Sequence, residues 1–300
     1  MVSIVMTTYN GEKYLVEQLN SIRDQTRKPD EVLIFDDCSK DNTAKLVTGY
    51  ITKNNLTNWH FTVNENNKGY SRNFSDAIKE AKGDIIFLAD QDDIWHKDKI
   101  EIMCAIVEKN SQIELLASNV HPFYIGENPQ KVNFETFQQK FEIIRIHNRR
   151  KWIKPARPGC SMCFKRNLLR DYDQLWFSDY AHDSLLWGMA VLHGTAYLYN
   201  RFTLDFRRHD TNASSRGGFR MDYRLKVLKT EIEIISRMHD FARDNKKNDE
   251  KFLKKQLLVY KKRKNLLESR NIVGMILMLP YIKYYGRGRF WMTDIYYCLK

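Results

Sequence analysis

Residues 83–95 read GDIIFLADQDDIW, an apolar run followed at once by three carboxylates within four positions. The run Ile85–Leu88 has the length and composition of a buried strand. The carboxylates of Asp90, Asp92 and Asp93 would repel one another unless a cation lay among them, and oxygen ligands of this kind suit Mg²⁺ or Mn²⁺. An acidic first turn of the next helix is the alternative, because carboxylates are stabilised at a helix N-terminus.

The same arrangement of a strand with a polar end occurs twice upstream. The strand-like run Val2–Thr7 leads into the segment Thr7–Asn10, and Glu31–Phe35 leads into Asp36–Ser39. Parallel strands all end at one edge of a sheet, and ligands bind beyond that edge. We therefore expect the three polar clusters to form one site, which favours the metal over the helix start at Asp90.

Predicted helices alternate with these strands, which is typical of an α/β fold with a mostly parallel sheet. Four of the predicted helices are Glu12–Gln25, Ser71–Ala81, Lys97–Lys109 and Asp183–Leu192. A further helix is capped by Ser39 or Asp41 and ends near Lys53. The further predicted strands are His60–Val63 and Leu115–Val120. Residues 121–220 are less periodic. From Met221 the chain is helical and basic, with a break near Lys246–Asp249.

Composition narrows the class of protein. The 300 residues are 43% apolar and 29% charged, which excludes a disordered, collagen-like or disulfide-stapled chain. The five cysteines are scattered and odd in number, which favours a reducing compartment, and the isolated Cys160–Cys163 pair lacks the partners of a zinc site. The amino terminus has no basic leader, and the longest apolar run, Ile272–Ile282, is too short to span a bilayer. We therefore expect a cytoplasmic protein.

The basic excess lies in the last third of the chain. Residues 1–200 hold 25 Lys and Arg against 26 Asp and Glu, whereas residues 201–300 hold 24 against 11. The stretch 272–291 mixes apolar, aromatic and cationic residues and suits a helix lying on an anionic membrane surface. The alternative is a helical pair that packs on the rest of the chain or on a second copy in a homodimer. Nucleic acid is not an expected partner, because no DNA- or RNA-binding motif accompanies the charge.

Two common nucleotide-binding motifs are absent from the sequence. No GxxxxGK[ST] string occurs, and TTYNGEKY stands where a GxGxxG loop would follow the first strand. The side chains of Thr7, Tyr9 and Asn10 suit a nucleoside base better than a phosphate, and the Asp37 carboxylate can accept the imide N–H of uracil or thymine. A nucleotidyltransferase is disfavoured because its Gly-rich loop is missing.

Four segments resemble the signature of glycosyltransferase family 2 in order and spacing. They are VSIVMTTYNGEKYLVEQLNSIRDQT (2–26), VLIFDDCSKDNT (32–43), NKGYSRNFSDAI (67–78) and GDIIFLADQDDIW (83–95). The segments RPGCSMCFKR (157–166) and HDSLLW (182–187) resemble the acceptor side of the family more loosely, while LADQDDIW and FRRHDTNAS are most similar to its bacterial rhamnosyltransferase branch.

The resemblance implies a GT-A fold and a division of the chain. Residues 1–220 would form the catalytic domain, with a nucleotide-sugar half at 1–120 and an acceptor half at 121–220, and residues 221–300 a helical basic extension. By position, Thr7, Tyr9 and Asp37 would hold the base, and Arg72 would lie near the nucleotide. Asp90 and Asp92 would occupy the metal-binding DxD motif, with Asp92 as the direct ligand, and Asp183 would be the catalytic base.

Two of these assignments have structural alternatives. Asp183 stands at the start of an apolar helix, where an aspartate also serves as an N-terminal cap. Arg207, Arg208 and His209 are expected in a basic loop leading to Gly217 and Gly218. That loop would close over the diphosphate, or His209 would instead complete the metal shell. The remaining alternative is a solvated turn.

The sequence thus predicts a metal-dependent inverting glycosyltransferase. A single displacement by an acceptor hydroxyl needs one base and a cation at the leaving diphosphate. The expected donor is dTDP-L-rhamnose and the acceptor a glycan or a polyprenyl-linked saccharide of the bacterial surface, with the enzyme peripheral on the inner face of the plasma membrane. A UDP-hexose-dependent transferase and a catalytically silent nucleotide-sugar-binding protein are the alternatives.

Overall fold

The computed structural model describes residues 1–129, 131–132, 142–147, 149–210, 212, 220–286 and 288–300. Their centre is a nine-stranded sheet in the order β3-β2-β1-β4-β8-β6-β9-β5, with β7 paired to β9. The strands are β1 (Val2–Thr8), β2 (Glu31–Asp36), β3 (Trp59–Val63), β4 (Ile85–Ala89), β5 (Ile94–Trp95), β6 (Leu115–Tyr124), β7 (Ile143–Arg145), β8 (Met162–Lys165) and β9 (Ala196–Arg208).

Strands β1 to β4 form the parallel part of the sheet that the sequence predicts. Every residue of β1 and β4 is buried, which explains their continuous apolar runs. The helices between them are α1 (Leu15–Arg23), α2 (Thr43–Lys53) and α3 (Tyr70–Glu80), and α4 (Lys99–Lys109) follows β5. The chain passes from β3 at one edge to β4 on the other side of β1, which creates the switch point where such sheets bind ligands.

Local details correct several predicted boundaries. Helix α1 begins at Leu15 rather than Glu12, and Asn42 rather than Ser39 or Asp41 is the N-cap of α2. The Ser39 hydroxyl bonds Asp36 instead, and Asp41 accepts the Thr43 N–H at 3.0 Å. The predicted mixture of α and β elements is confirmed, with shifts of up to four residues at the helix and strand ends.

The second half of the sheet is antiparallel at β8, which lies between β4 and β6. After β8 come the helices α5 (Tyr172–Leu175) and α6 (His182–His193), and α6 ends at Gly194 in the left-handed conformation with φ 73°. Strand β9 then pairs with β6, β5 and β7 along its 13 residues. This long strand brings the stretch before His209 back to the strand ends of the first half.

The basic carboxyl-terminal part is helical, as predicted. It contains α7 (Met221–Asp244), α8 (Glu250–Glu268), α9 (Ile272–Ile276) and α10 (Arg289–Leu299), with a 3₁₀ turn Leu279–Tyr284. One apolar core joins these helices to the sheet, since Leu88 of β4, Leu186 of α6, Leu228 of α7 and Tyr260 of α8 belong to the same buried cluster. A second cluster fills the other face of the sheet, under α1 and α4.

Polar contacts also cross between the helices and the preceding part of the chain. The indole N–H of Trp152 donates to Gln256 Oε1 at 2.9 Å, and Gln256 donates to the Tyr284 carbonyl at 3.0 Å. Both Trp152 and Gln256 are fully buried.

All five cysteines are free thiols, and four of them are buried. Among the described residues, no helix combines the length and the hydropathy that a membrane crossing requires.

Candidate active site

The carboxyl ends of β1, β2 and β4 meet, as the strand pattern predicts. The Thr8 hydroxyl donates to Asp36 at 2.7 Å, which joins the ends of β1 and β2. The Tyr9 N–H donates to Gln91 Oε1 at 2.9 Å, and the Gln91 amide donates back to the Tyr9 carbonyl at 3.1 Å. The three polar clusters therefore form one continuous edge.

The residues after β1 differ in what they present at this edge. Thr7 is buried, whereas the Tyr9 ring is 46% exposed. Asn10 has a left-handed backbone with φ 48°, its N–H donates to Ser39 at 2.9 Å, and its side-chain oxygen accepts the Lys40 N–H at 2.8 Å. Asn10 therefore shapes the loop that supports Tyr9.

The buried carboxylate of Asp37 is engaged by its own chain. One oxygen accepts the Asn64 amide at 3.0 Å and the Lys68 N–H at 2.8 Å, and the other accepts the Gly69 N–H at 2.8 Å. Asp37 thus fixes the loop that leads into α3, where Gly69 has φ 80°.

Arg72 lies on the exposed side of α3. Its Nε is 3.0 Å from Asp76, and its guanidinium carbon is 5.2 Å from the centre of the Trp176 ring. Among the described residues, these ion-pair and ring contacts join Arg72 to α3 and to the end of α5 rather than to the strand-end clusters.

Asp92 and His209 are 117 positions apart in the chain but adjacent in space. His209 Nε2 lies 2.9 Å from Asp92 Oδ2, and the amide of Asn212 lies 3.0 Å from the same oxygen. The His209 ring is also 4.9 Å from the centre of the Tyr14 ring. The structure therefore brings together two of the three residues that the sequence associates with the metal, Asp92 and His209, and it adds Asn212.

A second group lies beneath the first. Ligand atoms of Asp90, Asp93 and Cys160 lie within 4.8 Å of one another. Burial and, after it, the nearby Asp92 charge raise the pKa of Asp90 to about 7. Burial likewise raises the pKa of Asp93, and it lowers the pKa of the buried Lys99 amine to about 8.

The donors at this edge fit a hard divalent cation. Asp93 Oδ2 is buried and accepts no hydrogen bond from the described residues. Cys160 is the weaker ligand of its trio, because burial raises the pKa of its thiol and a neutral sulfur binds Mg²⁺ or Mn²⁺ poorly. Asp90, Asp92 and His209 offer two carboxylates and an imidazole that suit Mg²⁺ or Mn²⁺ better.

Arg207 and Arg208 are buried at the end of β9, so their prediction as part of a basic loop is wrong. The Arg207 side chain donates from Nε to the Asp92 carbonyl at 2.7 Å, and its guanidinium pairs with Glu17. The backbone N–H of Arg207 donates to the Asp93 carboxylate at 3.2 Å. Burial lowers the pKa of Arg208, and its guanidinium carbon is 5.3 Å from the Phe206 ring centre. Gly217 and Gly218 lie outside the described residues.

Asp183 is the second residue of α6 and half-buried. Ala181 is the N-cap of the helix, so the alternative role of Asp183 as the cap is wrong. A side chain built on Gly159 would come within 3.0 Å of the Asp183 Cβ, which shows how closely the turn Gly159–Ser161 approaches this carboxylate. Since Cys160 of the same turn belongs to the group with Asp90 and Asp93, one short turn lies next to both that acidic group and the candidate base Asp183.

The sequence profile of the family described as "Glycosyl transferase family 2" matches residues 3–173, more than half of the chain. This chain belongs to that family. It is therefore a glycosyltransferase by family, and the expected activity class is confirmed.

Two relatives of this family 2 transferase differ in what their names say they transfer. The dTDP-rhamnosyl transferase RfbG of Shigella flexneri is 28% identical over 221 residues, 69% of this chain and 72% of RfbG. The poly(ribitol-phosphate) beta-N-acetylglucosaminyltransferase TarS of Staphylococcus aureus is 34% identical over 173 residues, 57% of this chain. That match spans only 28% of TarS.

Solved structures establish the fold of the transferase. Residues 1–349 of S. aureus TarS in complex with UDP-GlcNAc superpose with a TM-score of 0.62 at 21% identity, covering 99% of this chain and 89% of that one. The mannosyltransferase PcManGT from Pyrobaculum calidifontis, in complex with GDP-Man and Mn²⁺, gives 0.56 at 16% identity, covering 99% and 84%. The expected GT-A fold is thereby confirmed.

Sequence reasoning missed several residues of this edge. Asn212 and Lys99 carry no signal by themselves, because each contributes through a contact made across the fold, and Arg207 was expected in a loop rather than at the end of a strand. Cys160 was visible only as half of a CxxC pair. Its link to Asp90 and Asp93 appears once β8 lies next to β4.

Proposed function

We propose that this transferase moves a sugar from a nucleotide-diphosphate donor to a hydroxyl group of a glycan or polyprenyl-linked acceptor, with inversion, in bacterial surface polysaccharide synthesis. The observation that carries the proposal is the turn Gly159–Ser161. It contacts Asp183 through Gly159 and the Asp90 group through Cys160. A proton acceptor and a cation-binding cluster therefore lie on either side of one turn.

The cation side of the site consists of Asp90, Asp92 and His209, and a divalent ion held there would neutralise charge on the leaving diphosphate. Arg207 fixes this cluster from below, through the Asp92 carbonyl and the Asp93 carboxylate. Arg208 is buried beside the same carboxylates and adds positive charge next to the expected diphosphate.

The acceptor side of the site is Asp183. Its carboxylate would take the proton of the acceptor hydroxyl while that oxygen bonds to the anomeric carbon and the carbon–diphosphate bond breaks. The reaction needs no covalent intermediate, so one base is sufficient. The position of Asp183 in the first turn of α6 holds its backbone firmly, because Leu185 and Leu186 of that helix are fully buried.

The proposed donor is dTDP-L-rhamnose, bound through its base by Thr7, Tyr9, Asn10 and Asp37 and through its phosphates by Arg208 and His209. Arg72 would reach the phosphates only by leaving its contacts with Asp76 and Trp176. The relationship to RfbG supports this choice. A UDP-hexose donor is the second candidate, supported by the relationship to TarS, which is more identical over a shorter segment.

The protein is further proposed to work in the cytoplasm, at the inner face of the plasma membrane. Nucleotide sugars and polyprenyl-linked acceptors meet there. In this proposal residues 1–220 carry the reaction and residues 221–300 support it.

Thermal unfolding with UDP, dTDP or GDP, each with and without Mn²⁺ or Mg²⁺, tests the donor and the cation. A nucleotide at about 100 times its Kd adds about 2.7 kcal/mol to native-state stability. We expect the largest metal-dependent shift with dTDP. A larger shift with UDP would replace the rhamnose donor by a UDP-hexose, and no shift with any nucleotide would contradict nucleotide-sugar transfer.

Substitution separates the two sides of the site. Asp183→Asn should abolish transfer and keep the nucleotide shift, whereas Asp92→Asn should lose the metal-dependent part of the shift. Asp173→Asn is the matched control, because this exposed carboxylate pairs with Lys79 on the surface. Full transferase activity in Asp183→Asn would disprove its role as the base.

A further inference from the structure

Helices α9 and α10 expose a row of large apolar side chains to solvent. We call this row the apolar face, and its members are Val273, Ile276, Leu277, Met292, Tyr296 and Leu299, which are 46–70% exposed. On α10 these residues are spaced four and three positions apart. On α9 and at Leu277, the residue that follows it, they are spaced three positions and one position apart. Each set therefore lies on one side of its helix.

The two helices are antiparallel neighbours. The Trp291 indole donates to the Met275 carbonyl at 2.8 Å at one end, and Arg270 donates to the Lys300 carbonyl at 3.3 Å at the other. Both helices bury their opposite sides, at Met275 and at Asp294, and the latter contacts Arg263 of α8. The apolar face consequently points away from α8.

Charged residues around the apolar face are cationic. Residues 269–300 contain five Lys and Arg and one acid, Asp294. That acid is fully buried between arginines, whereas Arg270, Lys283, Arg289 and Lys300 are exposed. Glu268, the preceding acid, pairs with Lys264 at 2.9 Å. Every exposed charged side chain in the described part of 269–300 is therefore positive.

We propose that the apolar face docks on an anionic lipid leaflet, with its apolar side chains below the headgroups and the four cations at headgroup level. An amphipathic surface with a basic rim binds by the sum of apolar burial and attraction to anionic lipids. A second copy is the less suitable occupant, because two such faces would bring like charges together. The inference specifies the membrane location proposed above, and its test needs no catalytic turnover, so the two proposals can fail separately.

Co-sedimentation of the full chain with vesicles tests this surface. We expect binding to mixed phosphatidylcholine–phosphatidylglycerol vesicles that weakens with salt, and much weaker binding to phosphatidylcholine alone. Each cation near an anionic surface contributes roughly fivefold to the partition coefficient, so Lys283→Gln with Arg289→Gln should reduce it roughly 30-fold.

Substitution of the apolar residues provides the second arm. Leu277→Asn with Met292→Asn should remove the salt-resistant part of binding, whereas Val63→Asn, an exposed apolar position on the edge strand β3, should leave binding unchanged. All changed side chains are exposed, so the thermal midpoints should match the wild type. Equal binding to neutral and anionic vesicles, or unchanged binding of the Leu277 and Met292 variant, would overturn the proposal. A dimer that this variant dissociates, with no vesicle binding by the wild type, would assign the face to self-association instead.

Discussion

The carboxylate of Asp294 is the buried charge that ties α7, α8 and α10 together. Its Oδ1 accepts from Arg224 at 3.0 and 3.1 Å, and its Oδ2 accepts from Arg263 at 2.8 Å. Asp294 and Arg263 are fully buried, and the Arg263 guanidinium carbon lies 3.9 Å from the Tyr285 ring centre. Asp294→Asn keeps the size of the side chain and removes its charge. The buried guanidinium groups of Arg224 and Arg263 then have lost the carboxylate that neutralises them.

Removing one partner from a buried ion pair costs about 3–5 kcal/mol, because the remaining charge has lost its counter-charge away from water. The matched control is Glu233→Gln on α7. Glu233 pairs with Arg237 at 2.8 Å one turn away, and its side chain is 50% exposed. Exposed helix pairs of this kind contribute about 0.3–0.5 kcal/mol. The same chemical change should therefore differ roughly tenfold in free energy between the two sites.

Urea unfolding followed by far-ultraviolet circular dichroism measures both variants against the wild type. We expect Asp294→Asn to lower the free energy of unfolding by about 3–5 kcal/mol and Glu233→Gln to lower it by less than about 1 kcal/mol. If Asp294→Asn costs no more than Glu233→Gln, the buried cluster does not hold the three helices together.

Two further predictions concern pH and the candidate base. Hydrogen bonds from His193, Arg170 and Thr195 lower the pKa of Glu114 to about 2 from 4.5, so its contribution is present above pH 4.5 and lost as the pH falls toward 2. Glu114→Gln should therefore lower the free energy of unfolding by about 2–3 kcal/mol near neutral pH. The difference in melting temperature between this variant and the wild type should shrink as acid is added. A difference that stays constant with pH would contradict this. Gly159→Ala should lower kcat roughly tenfold by displacing the Asp183 carboxylate, with an unchanged melting temperature. Gly49→Ala, which meets nothing within 4 Å, should leave kcat unchanged, and equal kcat values in the two variants would refute the displacement.

The sequence predicted the parallel half of the fold well because its signals are local. Each of β1, β2 and β4 is a continuous apolar run that ends in polar residues, so both the strand and its polar end are visible in a short window. Strand β9 was not predicted, because residues 121–220 show little periodicity. Its alternation is interrupted by buried polar residues, Asn200 and Thr203 among them, which form hydrogen bonds that a short window cannot reveal.

The sequence names candidate ligands for the site but not the residues that support them. Asp92 and Asp183 stand in recognisable segments, and His209 is visible as part of a cationic group with the two arginines before it. In contrast, the burial of Arg207 depends on the rings of Tyr14 and Phe123, 4.4 and 4.8 Å from its guanidinium carbon. A sequence shows a basic dipeptide, and only the folded chain shows the aromatic surfaces that allow it to be buried.

The core that α7 and α8 share with α6 has a consequence for how this protein can be divided. Deleting residues 221–300 would uncover the ring of Trp152 and leave its N–H without Gln256, so a shortened chain would present a wide apolar surface and be prone to aggregate. Chimeras with other family members therefore need to exchange both sides of that shared core together. Helices α7 and α8 are therefore part of the core of the folded protein and cannot be removed as a separate extension.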